Sequence, residues 1–429
     1  MDRKILQLIN RSSLMEFYMN IKIRKTYFSI VTVVILMSGC MVISRQKNIN
    51  ELFTLTTGYD TEQIGMISNG IFSPDNLNIV YQNGFFYLSD RINNKIIKIS
   101  ERGDILLTIF NPETNLNLTD NTTSADEKTE EEKVFLKIFA SYPLNSPGRI
   151  TVSEQKEIFV AAQTRDKKTE NGRVLDNVII KLSEKGELIY TIGRSGLSTD
   201  PFDYIESIIV DNDSKLVVIE RNSIAGYNIY RYEPDGTLIS KTSIDDSSVP
   251  HNQKETESAT NIIKIAASKT PFELYITCQF VNQIESGIYI SRPELAYEKV
   301  FKYSLKTGSY TRLVLQLEQS TVDITRELIS DELKAIYDGV TEIPLAMKDF
   351  LTATGEGYIY MTRRELVLSD PSQNILQLYL YSPRGKIDSI ERITFPPRVS
   401  YISELIYGGN SNFFAYYINA GDIYFVSVN

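Results

Sequence analysis

One pattern recurs five times along this chain, and it limits the fold more than any other feature: strand, polar loop, alternating strand, glycine turn, further strand. The clearest copy has a strand at 83–90, a polar turn at 91–94 and an alternating run at 95–99. The turn Glu101-Arg102-Gly103-Asp104 then leads into 105–109. The second copy uses 157–161, a long polar insert, 178–182 and Glu184-Lys185-Gly186-Glu187. The third uses 215–220, 229–232 and Glu233-Pro234-Asp235-Gly236. The fourth has 273–276, 299–303 and Lys306-Thr307-Gly308, and the fifth has 357–361, 378–381 and Ser382-Pro383-Arg384-Gly385-Lys386. A further apolar stretch precedes each copy, as at 205–210, so each unit has four antiparallel strands. Glycine supplies the positive φ of a tight hairpin turn. Alternating strands of this length present one face to each neighbouring unit, so the units must stack to bury their apolar side chains.

These units resemble NHL repeats, in which a strand ending in Asp, a polar turn with Asn, an alternating strand and a Gly hairpin follow in that order. The likeness is best over 79–109, fair over 178–240 and faint over 353–390. It implies an all-β fold, a β-propeller of about six four-stranded blades. It also implies a binding role, since many NHL propellers bind proteins or other ligands. A few relatives are lyases or lactonases whose metal sites lean on histidine. After Gly385 only three strand-like runs remain, at 401–407, 413–418 and 423–428. The last blade then needs a fourth strand from the other end of the chain, and 64–72 is expected to supply it, closing the ring without open edges. A seventh blade fits only if an insertion conceals it.

The amino-terminal end reads as a lipoprotein signal. From Met19, a second start beside Met1, the chain runs through Lys22, Arg24 and Lys25 into an apolar stretch at 27–37 and then Ser38-Gly39-Cys40. That is the charged, apolar and small-residue layout of a secretory signal peptide, and the apolar stretch is too short to span a bilayer. Leu36-Met37-Ser38-Gly39-Cys40 resembles a bacterial lipobox, with Met37 where Leu is commonest. The resemblance implies acylation of Cys40, cleavage before it, and a stable anchor of two or more acyl chains such as palmitate. Met41 is no inner-membrane retention signal, so the outer membrane is favoured in a cell with two. The expected organisation is an over-extended start plus signal peptide at 1–39, a membrane tether at 40–63 and a propeller at 64–429.

Composition narrows the chemistry. The chain after Gly39 carries 39 basic and 52 acidic residues, so its field does not favour nucleic acid. There is one histidine, His251, and no tryptophan, which excludes a histidine-rich metal site. Cys278, the cysteine besides Cys40, sits in a strand-like run and is read as a small buried hydrophobe.

Two insertions interrupt the repeats: a polar, acidic loop at 111–134 and a segment at 318–346 whose Leu328, Leu333, Ile336 and Tyr337 spacing predicts a short helix. The loops after the second strand of each blade should share one face beside the central channel. They carry Asp90, Arg91, Arg165, Glu220, Arg221, Arg363 and Arg364, and arginine grips carboxylate or phosphate in a fork. These seven residues are the candidate ligand site. The resulting expectation is a lipid-anchored envelope protein that engages a protein or polar ligand, with no cofactor and no enzymatic activity. The alternative is a propeller hydrolase or lyase with a carboxylate-bound Ca²⁺ in the channel.

Overall fold

The computed structural model describes residues 43–60, 62–65, 76–115, 137–169, 172–193, 202–222, 226–251, 258–286, 290–318, 321–323, 342–344, 348–365, 367, 370, 372–397 and 399–429. They form a six-bladed β-propeller with a 3₁₀ turn at Asp246–Ser248. Blade one is Leu77–Gln82, Phe85–Asp90, Lys95–Ser100 and Ile105–Phe110. Blade two is Ile150–Val152, Ile158–Thr169, Gly172–Leu182 and Leu188–Ile192. Blade three is Tyr204–Val210, Leu216–Asn222, Gly226–Tyr232 and Leu238–Ile244. Blade four is Ser258–Ala267, Glu273–Ser286, Ile290–Ser304 and Ser309–Glu318. Blade five is Asp349–Ala353, Ile359–Glu365, Asn374–Tyr381 and Ile387–Phe395.

Blade six is composite. Tyr401–Ile402 and Ile406–Gly409 both pair with Asn412–Asn419, which pairs with Asp422–Val428. The outer place is taken by β2, Ile49–Thr56, running antiparallel to Asp422–Val428. The closing strand is therefore 49–56 and not 64–72; of the latter, Ile64 makes an isolated bridge to Thr57, and 66–72 lie outside the described residues. Just before it, β1, Ile43–Lys47, lies parallel along the outer strand of blade five. The stretch read as tether, 40–63, thus contributes two strands, and the propeller begins at Ile43 rather than at residue 64.

The repeat has a second, charged component. Lys98, Lys181, Arg231 and Lys302 hold one position in the third strand of blades one to four, opposite Tyr87, Phe159, Val217 and Tyr275. Three of them reach the next blade. Lys98 Nζ is 3.1 Å from Glu184 Oε1, Lys181 Nζ donates to Pro234 O at 2.8 Å, and the Arg231 guanidinium lies 3.8 Å from the Phe272 ring centroid. Each aliphatic stem packs on apolar surface while the head finds a polar partner. Apolar clusters fill the remaining inter-blade space, one of them joining Phe53, Phe86, Phe414 and Phe425 across the closure. Gly103, at φ +88°, turns beneath that cluster, where a Cβ would come within 2.8 Å of Phe53 Cβ.

Of the two insertions, 116–136 lie outside the described residues, and so do 324–341, where the helix is expected. Around the second gap, Thr321–Asp323 pairs antiparallel with Glu342–Pro344. Ile138–Ser141 docks parallel on the outer edge of blade one.

Candidate site at the charged mouth of the central channel

The inner strands of all six blades surround a channel of about 760 Å³. Each inner strand starts at the mouth where the second and third strands turn, as the pairs Leu77–Asp90, Tyr204–Arg221 and Asp349–Thr362 show. The hairpins of blades two and four extend furthest on this side, with pairing continued to Gly172–Thr169 and Ser286–Ile290.

A ring of polar side chains stands at this mouth, one from the inner strand of each blade or a residue beside it: Asn78, Arg149, Glu206, Lys264, Asp349 and Glu404 in blade order. All but Asp349 line the channel, and Asp349 lies in the field of Lys264 and Glu404. In blades three, four and five the inner strand bulges at one equivalent step, between Ile205 and Ser207, Ile262 and Lys264, and Phe350 and Thr352. A bulge re-aims a side chain out of strict alternation. This one puts Glu206 in the channel between the buried Ile205 and Ile208.

The charges are unevenly placed. Arg149, Arg221 and Lys264 all bear on Glu206. Arg149 Nη1 donates to Asn78 Oδ1 at 2.8 Å, and Lys264 Nζ donates to Phe350 O at 2.9 Å. Burial holds the Glu206 carboxyl above its ordinary range despite these three cations. Burial likewise raises Asp349; Glu404 adds to the rise, while Lys264 and Arg364 oppose it. Basic groups therefore dominate blades two to four, and carboxylates dominate blades five and six. The opposite mouth is nearly neutral, with Gln82, Asn212, Thr354 and Asn410 beside Lys269, whose Nζ is 3.3 Å from Gln82 Oε1.

None of the seven sequence candidates belongs to the ring; four are engaged in the framework, and Arg221 reaches the ring electrostatically. Asp90 is buried and saturated, accepting from Gly65 N at 2.8 Å, Ile92 N and Asn93 N at 3.1 Å each, and Asn93 Nδ2 at 3.0 Å. The neighbouring Lys95, pushed down to about 8 by burial, donates to the carbonyls of Asp60 and Gln63. Together they clamp the 58–65 loop. Glu220 accepts three hydrogen bonds, from Asp203 N at 2.6 Å and from Asn228 Nδ2 and Tyr230 Oη at 2.8 Å each. Arg363 forks onto Gln377 Oε1 at 3.2 and 2.8 Å, and Arg364 donates to Ile402 O at 2.7 Å. Arg221 is exposed and reaches the ring electrostatically, and Arg91 is exposed on its loop. Arg165 lies in the second strand of blade two, and its side chain is outside the described residues.

Arg149, Glu206, Lys264, Asp349 and Glu404 are not among the sequence candidates, because the repeats carry no regular carboxylate or cation on their inner strands. Their signal is a charge inside an apolar run, as in Ile205-Glu206-Ser207-Ile208 and Ile263-Lys264-Ile265.

No family model and no curated protein matches the sequence. Solved structures do match its fold. A family 25 polysaccharide lyase, an ulvan lyase, aligns at 10% identity and TM-score 0.41 over 87% of this chain and 94% of its own. An apocarotenoid oxygenase of Synechocystis aligns at 9% identity and TM-score 0.32 over 78% and 74%. A Bacteroides fragilis protein described as exported aligns at 7% identity and TM-score 0.38 over 91% and 99%. Likeness at this level concerns the fold alone. It corrects one expectation, that the chain has no enzymatic activity: two of these structures are enzymes, so the fold gives no ground for excluding catalysis. Among the described residues no helix is long and apolar enough to cross a membrane.

Proposed function

We propose that the chain is a ligand-binding propeller of the bacterial cell envelope, held at a membrane by lipid on Cys40, and that the charged mouth receives a small polar ligand. The observation that carries the reading is the ring itself. Five separate blades each bring a polar side chain to one end of one channel, with Asp349 of the remaining blade in the field of two of them, while the other end stays nearly neutral. Separated cationic and anionic sectors suit a ligand that carries charge, with Arg149 and Lys264 gripping its acidic groups. Glu206 and Asp349, whose carboxyls burial holds above their ordinary range, keep a proton more readily than exposed carboxylates and can share it with such a ligand. Among the described residues no group of three His, Cys, Asp or Glu stands close enough together to hold a metal ion.

The test is a thermal-shift screen of charged saccharides, amino acids and phosphorylated metabolites. Compounds that raise the melting temperature of the wild type should fail to do so for Arg149→Ala combined with Lys264→Ala. They should still act on Lys269→Ala at the opposite mouth. Equal protection of all three proteins would place binding elsewhere and overturn the assignment.

A further inference from the structure

The strap formed by β1 and β2 determines where a lipid on Cys40 meets the ring. β1 runs parallel along the outer strand of blade five, from Ile43 opposite Ser389 to Lys47 opposite Ile393. Asn48 then bonds to Asn429 in both directions, at 3.1 and 3.0 Å, and β2 continues along blade six. Cys40 is three residues before Ile43. At most about 3.6 Å per residue, that length spans roughly 11 Å. The same number of residues back from Ser389 leads to Lys386, in the turn that precedes the outer strand of blade five. A lipid on Cys40 is therefore held within that reach of the blade-five outer strand, at its end beside the 382–386 turn.

That edge has the charge for such a place. Residues 43–47 and 384–392 hold five basic residues and two acidic ones, in a chain whose formal net charge is −9. Arg45, Arg384 and Lys386 are exposed. Lys47 is 3.4 Å from Glu391, and Arg392 pairs with Glu365 at 2.6 Å. Exposed basic residues beside a lipid anchor add electrostatic attraction to an anionic leaflet.

From the register, the short reach and the local charge we propose that the outer edge of blade five is a membrane-contact surface for an anionic bilayer. The ring stands edge-on, with its channel axis along the membrane and both mouths open to the side. This inference rests on the reading of Cys40 as lipidated.

The test uses the full chain extracted from bacterial membranes and reconstituted in vesicles of phosphatidylethanolamine and phosphatidylglycerol. Single cysteines carry an environment-sensitive fluorophore at Asp388→Cys or Gln46→Cys on the blade-five edge, or at Leu188→Cys on blade two across the ring. Cys278 is buried and stays unlabelled. Spin-labelled lipid should quench positions 388 and 46 severalfold more than 188. Replacing phosphatidylglycerol with phosphatidylcholine should reduce that difference. Mass spectrometry of the amino-terminal peptide reports acylation in the same samples. An acylated protein quenched equally at all three positions would overturn the orientation and leave the anchor standing. A protein without acyl groups would remove the anchor, and the inference with it.

Discussion

Blades three and six solve the same packing problem with different means. Blade three is one continuous segment, Tyr204 to Ile244, and a buried charge joins it to blade four. Arg231 donates to Asp211 Oδ2 through Nε at 3.1 Å and Nη2 at 2.8 Å, and it stacks on Phe272 of the next blade. Blade six is assembled from both ends of the described chain, and aromatic rings join it to blade one. Phe53 stacks on Phe425 at 4.6 Å, and Phe86 meets Phe414 at 5.1 Å and Phe425 at 5.5 Å, edge to face. The difference follows from chain connectivity. A hairpin-linked blade forms with little loop-closure entropy, so its contacts serve mainly to orient it against its neighbour. The closing blade must bring together residues about 370 positions apart, and non-directional apolar burial suits that task.

The largest effect is therefore expected at the closure. Phe425→Ala empties a fully buried site lined by three other rings and should cost roughly 3–5 kcal/mol in urea denaturation. Unfolding should also lose cooperativity as β2 detaches before the other blades, seen as a transition that differs between probes in blades six and three. A single coincident transition would mean that closure is not the weak seam. Arg231→Met should come next, at about 3 kcal/mol, because it strands a buried carboxylate. The lower end of the usual range applies, since Asp211 Oδ1 keeps the amides of Asp213 at 3.0 Å and Lys215 at 2.9 Å. Replacing Asp211 with Asn in the same chain should recover part of the loss. No recovery would show that the guanidinium acts through its stacking on Phe272 and not through its charge.

The same contrast explains what the sequence revealed. The glycine turns were legible because positive φ is demanded locally: Gly103, Gly186, Gly236 and Gly385 all have φ between +75° and +89°. Blade three was legible because its four strands are consecutive. The closing strand was not, because a bulge between Glu51 and Phe53 breaks the alternation of apolar residues. Leu52 and Phe53 then fall side by side, in a stretch that reads as tether. The channel ring was hidden for a related reason. Its members lie in six distant segments, no two share a local motif, and in blades three and four a bulge adjoins the residue that faces the channel. Asp90 and Glu220, by contrast, looked functional in sequence because they end strands at the correct face. Their hydrogen bonds are spent on holding neighbouring loops.

The smallest effect should come from the ring, and its sign separates it from both seams. Glu206 and Asp349 have folded-state values raised by burial, so their ionised forms are less favoured in the fold than in the unfolded chain. Such groups contribute stability when protonated and lose it as pH rises through the folded value. Most paired carboxylates behave in the opposite sense. The difference in stability between wild type and Glu206→Gln/Asp349→Asn should therefore shift in favour of the wild type as pH falls from neutrality toward the ordinary carboxylate range. At neutral pH the double variant should be at least as stable as the wild type. Both carboxylates remain partly open to solvent, so screening keeps the effect well below those of Phe425 and Arg231. Urea titrations of both proteins across that range measure it directly. A double variant that loses stability at neutral pH would make the ring a third structural seam, whereas unchanged or higher stability marks charges kept at the channel mouth without benefit to folding, as a binding site requires.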